Sequence, residues 1–343
     1  MTTLKEIAKK ANVSIGTVDR VIHNRGRVSQ DNIDKVKAIM SELGYQANIF
    51  AKQLKQQKSY ALHVVMPEAD QDGSYWQLIQ KGVDRAAEEL KPFNFHIQPH
   101  YYNFTQETTL TDAINALLAS DSIDAVTLAM HDVNAAQALV EQLPEDTSIA
   151  LVDSDIPEIR PHFLISQDAY QAGRLSGQLI RLAAEGRSGD VLVINNPNQS
   201  LHILNRIKGL HDYLNEHHNQ IRLVTATLDY SSQTIFNHSL VELLEKHHSL
   251  IGIHATDANT YAVGQFVKTH DISLFVTGYD VTPKSVELIQ DGIINFVIDQ
   301  QPERQGYQSM MSHYHHHILR QPFTARQMTQ LNIVTQENYH YYL

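Results

Sequence analysis

The sequence predicts an α/β protein: a small all-helical head followed by a two-lobed body of parallel sheets flanked by helices. Three observations carry that expectation. Apolar residues in the first 45 positions recur at helical spacing. From Tyr60 onward, short apolar segments alternate with amphipathic helical stretches. Charge is also split unevenly along the 343 residues, a length that suggests about two or three domains.

The charge split comes first in the chain. Residues 1–58 hold 11 Lys and Arg against 5 Asp and Glu, a net +6, which leaves −17 of the total −11 for residues 59–343. A basic head on an acidic body suits a polyanion-binding module, although charge alone fits a solvated face equally well. Periodicity decides between them. Leu4, Ile7, Ala8 and Ala11 make one apolar helical face. Asn12, tolerant of left-handed backbone, stops that helix. Ser14 is a suitable N-cap for a second helix from Ile15 to about His23, with Val18, Val21 and Ile22 inward. Two helices joined by so short a turn describe a helix-turn-helix.

In that arrangement Ile15, Gly16, Thr17 and Arg20 face outward near the start of the second helix. Arg20 can grip guanine or phosphate, and Thr17 a phosphate. Gly16 permits close approach, while Asp19 reads as ordinary helix surface. After a loop containing Asn24, Arg25 and Arg27, with both arginines as phosphate candidates, Ser29 is expected to cap a third helix. Its stripe is Ile33, Val36, Ile39, Met40 and Leu43, and Gly44 ends it.

The run Leu4-x-x-Ile7-Ala8-x-x-Ala11-x-Val13-Ser14-x-x-Thr17-Val18-x-Arg20-Val21-Ile22, then Val28-Ser29 and Glu42-Leu43-Gly44-Tyr45, resembles the head of the lactose-repressor (LacI/GalR) family. The resemblance covers residues 1–58 and implies operator binding through Ser14, Ile15, Gly16, Thr17, Arg20, Asn24, Arg25 and Arg27. It further implies a hinge helix in which Asn48, Ala51, Leu54 and Lys55 meet the DNA. Leu54 would be a minor-groove wedge and the nearby lysines would neutralise phosphates. Two residues depart from the family pattern: Ala47 stands where proline is usual, and His23 where asparagine is usual.

In the body, strands are expected at Ala61–Met66, Phe93–Pro99, Ala125–Ala129, Ser148–Val152, His162–Ile165, Asp190–Asn195, Arg222–Ala226, Leu250–His254, Ser273–Thr277 and Asn295–Ile298. Leu331–Thr335 reads as a final strand. Asp168-x-Tyr170-x-x-Gly173-Arg174, Arg206-x-x-Gly209, Gly278-Tyr279-Asp280 and Gln300-Gln301-Pro302 resemble the type I periplasmic-binding-protein fold. The expected organisation is a head over 1–46, a hinge over 47–59, and an effector-binding and dimerisation domain over 60–343. Lobe 1 is expected to take about 60–165 and 294–322, and lobe 2 about 166–293 and 323–343.

Ligands of such folds sit where loops converge at the carboxyl ends of strands. By matched family position, Arg206, Asp280 and Gln300 are the leading effector contacts, followed by Asp153, Asp257 and His131. Arg206 is read as opening a helix after Asn195-Asn196-Pro197. Carboxylates and a guanidinium each hold adjacent hydroxyls in a fixed fork. Asp72, Tyr75 and Trp76 follow the first strand, and a ring of Tyr75 or Trp76 could stack on a sugar. For Asp153, Asp257 and Asp168 a helix-capping role stays open beside the ligand role. The cluster His313-Tyr-His315-His316-His317 places two imidazoles one helical turn apart, and a solvated helix face is favoured over a metal site there.

No Gly-x-Ser-x-Gly elbow, phosphate-cradling glycine loop or His-Glu-x-x-His pair stands in the sequence. A non-enzymatic role is therefore expected, with neither metal nor cofactor. Zero cysteines, no apolar run near the ~20 residues of a membrane span and no secretory signal pattern suit the cytoplasm. The combined expectation is a homodimeric regulator that represses from a palindromic operator and answers to a small polar effector, a sugar or sugar derivative. The alternative sharing the same body is a transport-binding protein, which the basic head opposes.

Overall fold

The computed structural model describes residues 3–22, 26, 28–43, 59–156, 159, 163–197, 200–217, 220–230, 232–322 and 326–343. The chain divides into two compact units, residues 1–58 and 59–343.

In the first unit, α1 (Leu4–Ala11) starts with a reciprocal cap that sequence reading overlooked. The Thr3 hydroxyl accepts from Glu6 N, and Thr3 N donates to the Glu6 carboxylate. Asn12 ends the helix in the left-handed conformation, φ 54°. Ser14 Oγ accepts from Thr17 N at 3.0 Å and so caps α2 (Ile15–Ile22). Ser29 precedes α3 (Gln30–Glu42), but its hydroxyl makes no capping bond. Its carbonyl starts the helix instead, accepting from Asn32 N and Ile33 N. The three helices close on Ile7, Ala8, Ala11, Val18 and Val36. Gly44 and the whole hinge segment 47–58 lie outside the described residues.

The second unit holds two six-stranded sheets. Sheet 1 joins β1 (Tyr60–Pro67), β2 (Phe95–Tyr102), β3 (Ala125–Leu128), β4 (Ser148–Val152), β5 (Phe163–Ser166) and β11 (Arg326–Met328). Their spatial order is β11-β5-β4-β3-β1-β2, and every pairing is parallel. Sheet 2 joins β6 (Gly189–Asn195), β7 (Ile221–Thr227), β8 (Leu250–Ala255), β9 (Phe275–Tyr279), β10 (Phe296–Asp299) and β12 (Asn332–Val334). The order is β12-β10-β9-β8-β6-β7, with only β12 antiparallel.

The connecting helices are α4 (Tyr75–Leu90), α5 (Glu107–Leu118), α6 (Val133–Gln142), α7 (Ala169–Ala183), α8 (Leu201–Glu216), α9 (Gln233–Lys246), α10 (Thr260–Thr269), α11 (Val286–Gln290) and α12 (Pro302–His317). Strands β1, β3 and β4 are buried along their whole length, as strands covered on both faces must be.

Two lobe assignments change. β10 was expected in lobe 1, yet it pairs with β9, Phe296 against Thr277. β11 was expected in lobe 2, yet it pairs with β5, Arg326 against Leu164. The chain therefore crosses between sheets after β5, after β10 and again after β11. The reason is physical: an apolar run such as Phe296-Val297-Ile298 fits any covered sheet, and only its hydrogen-bond partner decides which.

The histidine cluster is also corrected. His313 is wholly buried, and both His313 and His317 bond Ser148 Oγ, at 2.7 and 2.9 Å. His313 reaches Thr127 Oγ1 as well. These imidazoles face sheet 1 rather than solvent, because α12 packs on hydroxyl-bearing strands that supply partners.

Close helix packing sets the position of the next feature. A β-carbon on Gly173 would overlap the carbonyl oxygen of Arg206, and one on Gly209 would overlap that of Tyr170. The two glycines let α7 and α8 interlock, which fixes the inner face of α8.

Candidate functional site

The carboxyl ends of strands from both sheets converge on one narrow cavity. From the sheet 1 side come Asp72, Tyr75 and Trp76 after β1, His131 after β3 and Asp153 after β4. From the sheet 2 side come His202 and Arg206 on α8, Asp257 after β8, Asp280 after β9 and Gln300 after β10. All eight effector residues expected from sequence (Tyr75, Trp76, His131, Asp153, Arg206, Asp257, Asp280 and Gln300) line this space. Asp72, His202 and Ala258 join them. A much larger open groove lies between α4, α12 and the chain's last residues. Part of its charged lining is engaged in ion pairs of Lys81 and Arg85 with Glu303, and it does not gather the strand-end residues of both sheets.

Backbone strain is concentrated here. Asp72, Ser74, Asp153, Asp280 and Gln301 all have positive φ, between 46° and 71°. Non-glycine residues rarely adopt this conformation without compensation from their surroundings. Gly73, φ 64°, approaches the Ala258 carbonyl of the opposite lobe so closely that a β-carbon would collide with it.

The sheet 2 half is tightly wired. Arg206 is buried in the second turn of α8 and does not open the helix, correcting the sequence reading. Its guanidinium donates to the Thr256 carbonyl and to Gln300 Oε1, both at 2.6 Å. It also lies 3.9 Å from the Tyr279 ring centroid, a cation–π contact. Gln300 donates through its side-chain Nε2 and its backbone N to the two Asp280 carboxylate oxygens, at 2.5 and 3.1 Å. Burial, reinforced by repulsion from Asp299, pushes the Asp280 carboxyl up to about 8.

The sheet 1 half is wired more loosely. Tyr75 donates its hydroxyl to Asp153 Oδ1 at 2.8 Å, and Trp76 Nε1 donates to Asp72 at 3.1 Å. Trp76 packs edge-on against Tyr75 and His131, leaving a wall rather than an open stacking platform. Burial, then repulsion from Asp257, raises Asp72 to about 7.

His202 reaches from the first turn of α8 toward this half. Its Nδ1 meets Ser154 Oγ at 2.8 Å and stands 3.8 Å from Asp153. Burial pushes His202 down to about 3, so near neutral pH its approach to Asp153 is a dipolar contact and not an ion pair. Asp257 accepts from Asn196 and from Asn259 N, whereas Asp168 caps α7 through Gln171 N and is absent from the cavity lining.

Sequence reading missed His202. The available signal was its position in the loop and first turn after β6, another carboxyl strand end, but nothing local marked its direction.

In the head, Ser14, Ile15, Gly16 and Arg20 are exposed and Thr17 is half-buried along one side of α2. Ile15 remains 49% exposed, an apolar group held in water at the helix start. Asn24, Arg25, Arg27, Asn48, Ala51, Leu54 and Lys55 lie outside the described residues.

Known proteins share both parts. Residues 3–48 match the model of bacterial regulatory proteins of the lacI family, and residues 62–317 match that of the periplasmic binding protein domain. The HTH-type transcriptional regulator DegA of Bacillus subtilis is 28% identical over 215 residues, 63% of this chain and 61% of its own length. The ribose operon repressor of Lactococcus lactis is 27% identical over 216 residues, with the same shares. The match thus spans about three fifths of these curated relatives.

Among solved structures, a candidate LacI transcriptional regulator from Bacteroides fragilis superposes with TM-score 0.77 at 21% identity, covering 83% of this chain and all of that one. A carbohydrate transporter solute-binding protein from Agrobacterium radiobacter, in complex with D-arabinose, gives 0.71 at 17%, covering 82% and 96%. A helix-turn-helix head joined to a two-sheet body of this kind places the chain in the LacI family of bacterial regulatory proteins, with a periplasmic-binding-protein domain as its body.

Proposed function

We infer that the chain is an effector-responsive transcription regulator acting as a repressor in the cytoplasm. Two copies present their α2 helices to successive major grooves of a palindromic operator. The effector is a small polar molecule, a sugar or sugar derivative. The carrying observation is the convergence of polar strand-end residues from both lobes on one cavity. The space left free between these groups is about 30 Å³, room for a water or two, so a sugar enters as the lobes part. Buried carboxylates, a guanidinium and an amide, bounded by Tyr75 and Trp76, suit a polyol with polar edges and an apolar face. The named relatives and the arabinose-bound neighbour support the same reading. Effector binding between the lobes and DNA binding by the head are reciprocally linked through the state of the body.

Two measurements on the full chain test this. A melting screen with monosaccharides, uronates and polyols is expected to reveal one class that raises the melting temperature and shifts operator affinity in an anisotropy titration. A ligand that stabilises the protein without changing operator affinity contradicts the linkage, and chemical conversion of the ligand contradicts a non-enzymatic role. Leu54→Ala is expected to weaken operator binding more than binding to unrelated DNA; equal losses contradict the wedge.

The same body without a basic head would suit a transport-binding protein. Retention of operator-specific binding in a chain shortened to 59–343 would remove the head from the account.

A further inference from the structure

The Arg206 side of the cavity is closed by its own hydrogen bonds, whereas the corner facing it keeps an unpartnered imidazole nitrogen on His131 and joins His202 only to the hydroxyls of Ser154 and Ser200. There His131 and Asp153 leave the ends of β3 and β4, and His202 reaches across from α8 in the other lobe. Each offers one ligand atom, and all three atoms lie within 4.8 Å of one another. The His131 Nδ1 atom is enclosed and has no hydrogen-bond partner. Its ring centroid stands 5.9 Å from that of His202, so neither imidazole satisfies the other. Tyr75 donates to Asp153 Oδ1, while Oδ2 takes only a long 3.3 Å bond from Ser154 Oγ and turns toward His202. Asp72 and Asp257 line the same cavity, where Arg206 is the only arginine or lysine among the lining residues. A buried polar atom left unpaired is costly, and a group that binds it recovers that cost.

We propose that His131, Asp153 and His202 form a lobe-bridging site for a divalent transition cation of the zinc type. Imidazole nitrogens and a carboxylate oxygen are the donors such ions take. With bonds of about 2.0–2.1 Å, a tetrahedral ion holds its ligand atoms ~3.3 Å apart. Capture therefore draws the three groups inward by about an ångström and ties the ends of β3 and β4 to α8. Three protein ligands leave a position facing the cavity, where a hydroxyl of the effector completes the coordination. Cation and effector then raise each other's affinity, by linkage. This last step rests on the effector reading of the cavity; the cation site itself does not. No motif announces the site, because its ligands come from the ends of two strands and the first turn of a helix, far apart in sequence.

The test uses the full-length protein stripped by chelator and titrated with Co²⁺, read by visible ligand-field absorption, with Zn²⁺ as competitor. One ion per chain, displaced by Zn²⁺, is expected. His131→Gln and His202→Gln lie on opposite lobes, so a folding defect in one leaves the other informative. Each is expected to weaken binding at least ~100-fold. Absence of the absorption in the unaltered protein, or its survival in both variants, overturns the proposal. The sugar melting screen, run with Zn²⁺ and with chelator, keeps the two readings apart. A sugar-induced shift in chelator with no Co²⁺ signal removes the cation and leaves the effector. A Co²⁺ signal that the variants abolish, with no sugar shift in either condition, removes the effector and leaves the cation.

Discussion

The two halves of the cavity use similar residue types differently. On the sheet 2 side, Arg206, Gln300 and Asp280 form a chain in which each group spends its hydrogen bonds on the next. On the sheet 1 side, Tyr75 and Trp76 each hold one carboxylate, while His131 Nδ1 has no partner. The first half is organised before any ligand arrives, and preorganised groups lose little entropy on binding. The second keeps an unpartnered imidazole nitrogen, the condition under which a ligand or ion gains most. A site of this kind needs both: a rigid wall to orient, and an unsatisfied wall to reward occupation.

Three substitutions probe that contrast. Arg206→Ala should have the largest effect. It strips the buried Gln300–Asp280 pair and the Thr256 carbonyl of their donor, a loss of about 3–5 kcal/mol by the usual cost of breaking a buried charged network. Effector-induced melting shifts should vanish while operator binding by the head persists. Loss of both would dissolve the distinction between a ligand-orienting wall and a structural one.

Asp280→Asn comes next and is read through pH. With a folded value of about 8 against an ordinary 3.8, the Asp280 carboxyl binds more protons folded than unfolded. Its contribution is fully present at low pH and is lost as pH rises through about 8. His202 and His254, both pushed down to about 3 by burial, act in the opposite sense, but only below the ordinary histidine value of 6.5. Above that, the carboxyls act unopposed. Chemical denaturation should show stability falling between about pH 6.5 and 8.5, with Asp280 responsible for about 2 kcal/mol of the fall. The asparagine variant should flatten most of the slope. An unchanged slope would move the effect to another group.

Tyr75→Phe is the smallest of the three. Removing the hydroxyl leaves Asp153 short of a donor, at a cost of about 1.5 kcal/mol in the unfolding free energy from denaturant titration. If the variant instead costs as much as Arg206→Ala, the sheet 1 half is as tightly wired as its partner and the contrast fails.

Much of this was legible before any coordinates. Asp153, Asp257, Asp280 and Gln300 follow strands whose apolar runs mark them, and a covered parallel sheet sends strand ends toward a ligand crevice. His202 was not legible, since a histidine in the first turn of a helix can point in several directions. Its direction follows from the interlocking of α7 and α8 through Gly173 and Gly209. His313 and His317 were misread for a related reason. Their helical spacing is plain, but the hydroxyls of Ser148 and Thr127 that bury them come from strands more than 160 residues away.

By itself, the sequence determined what rests on neighbours along the chain. That includes the alternation of strands and helices, the compact basic head with α1 ended at Asn12 and α2 capped by Ser14, and the polar residues at strand ends. Those features depend on backbone preferences and periodicity within a few residues. Only the tertiary structure decided which sheet β10 and β11 join, which lone pairs in the cavity stay unspent, and that His131, Asp153 and His202 share one corner. An apolar strand pairs equally well with many edges, and a polar side chain acquires a role only from the groups that folding brings within hydrogen-bond reach.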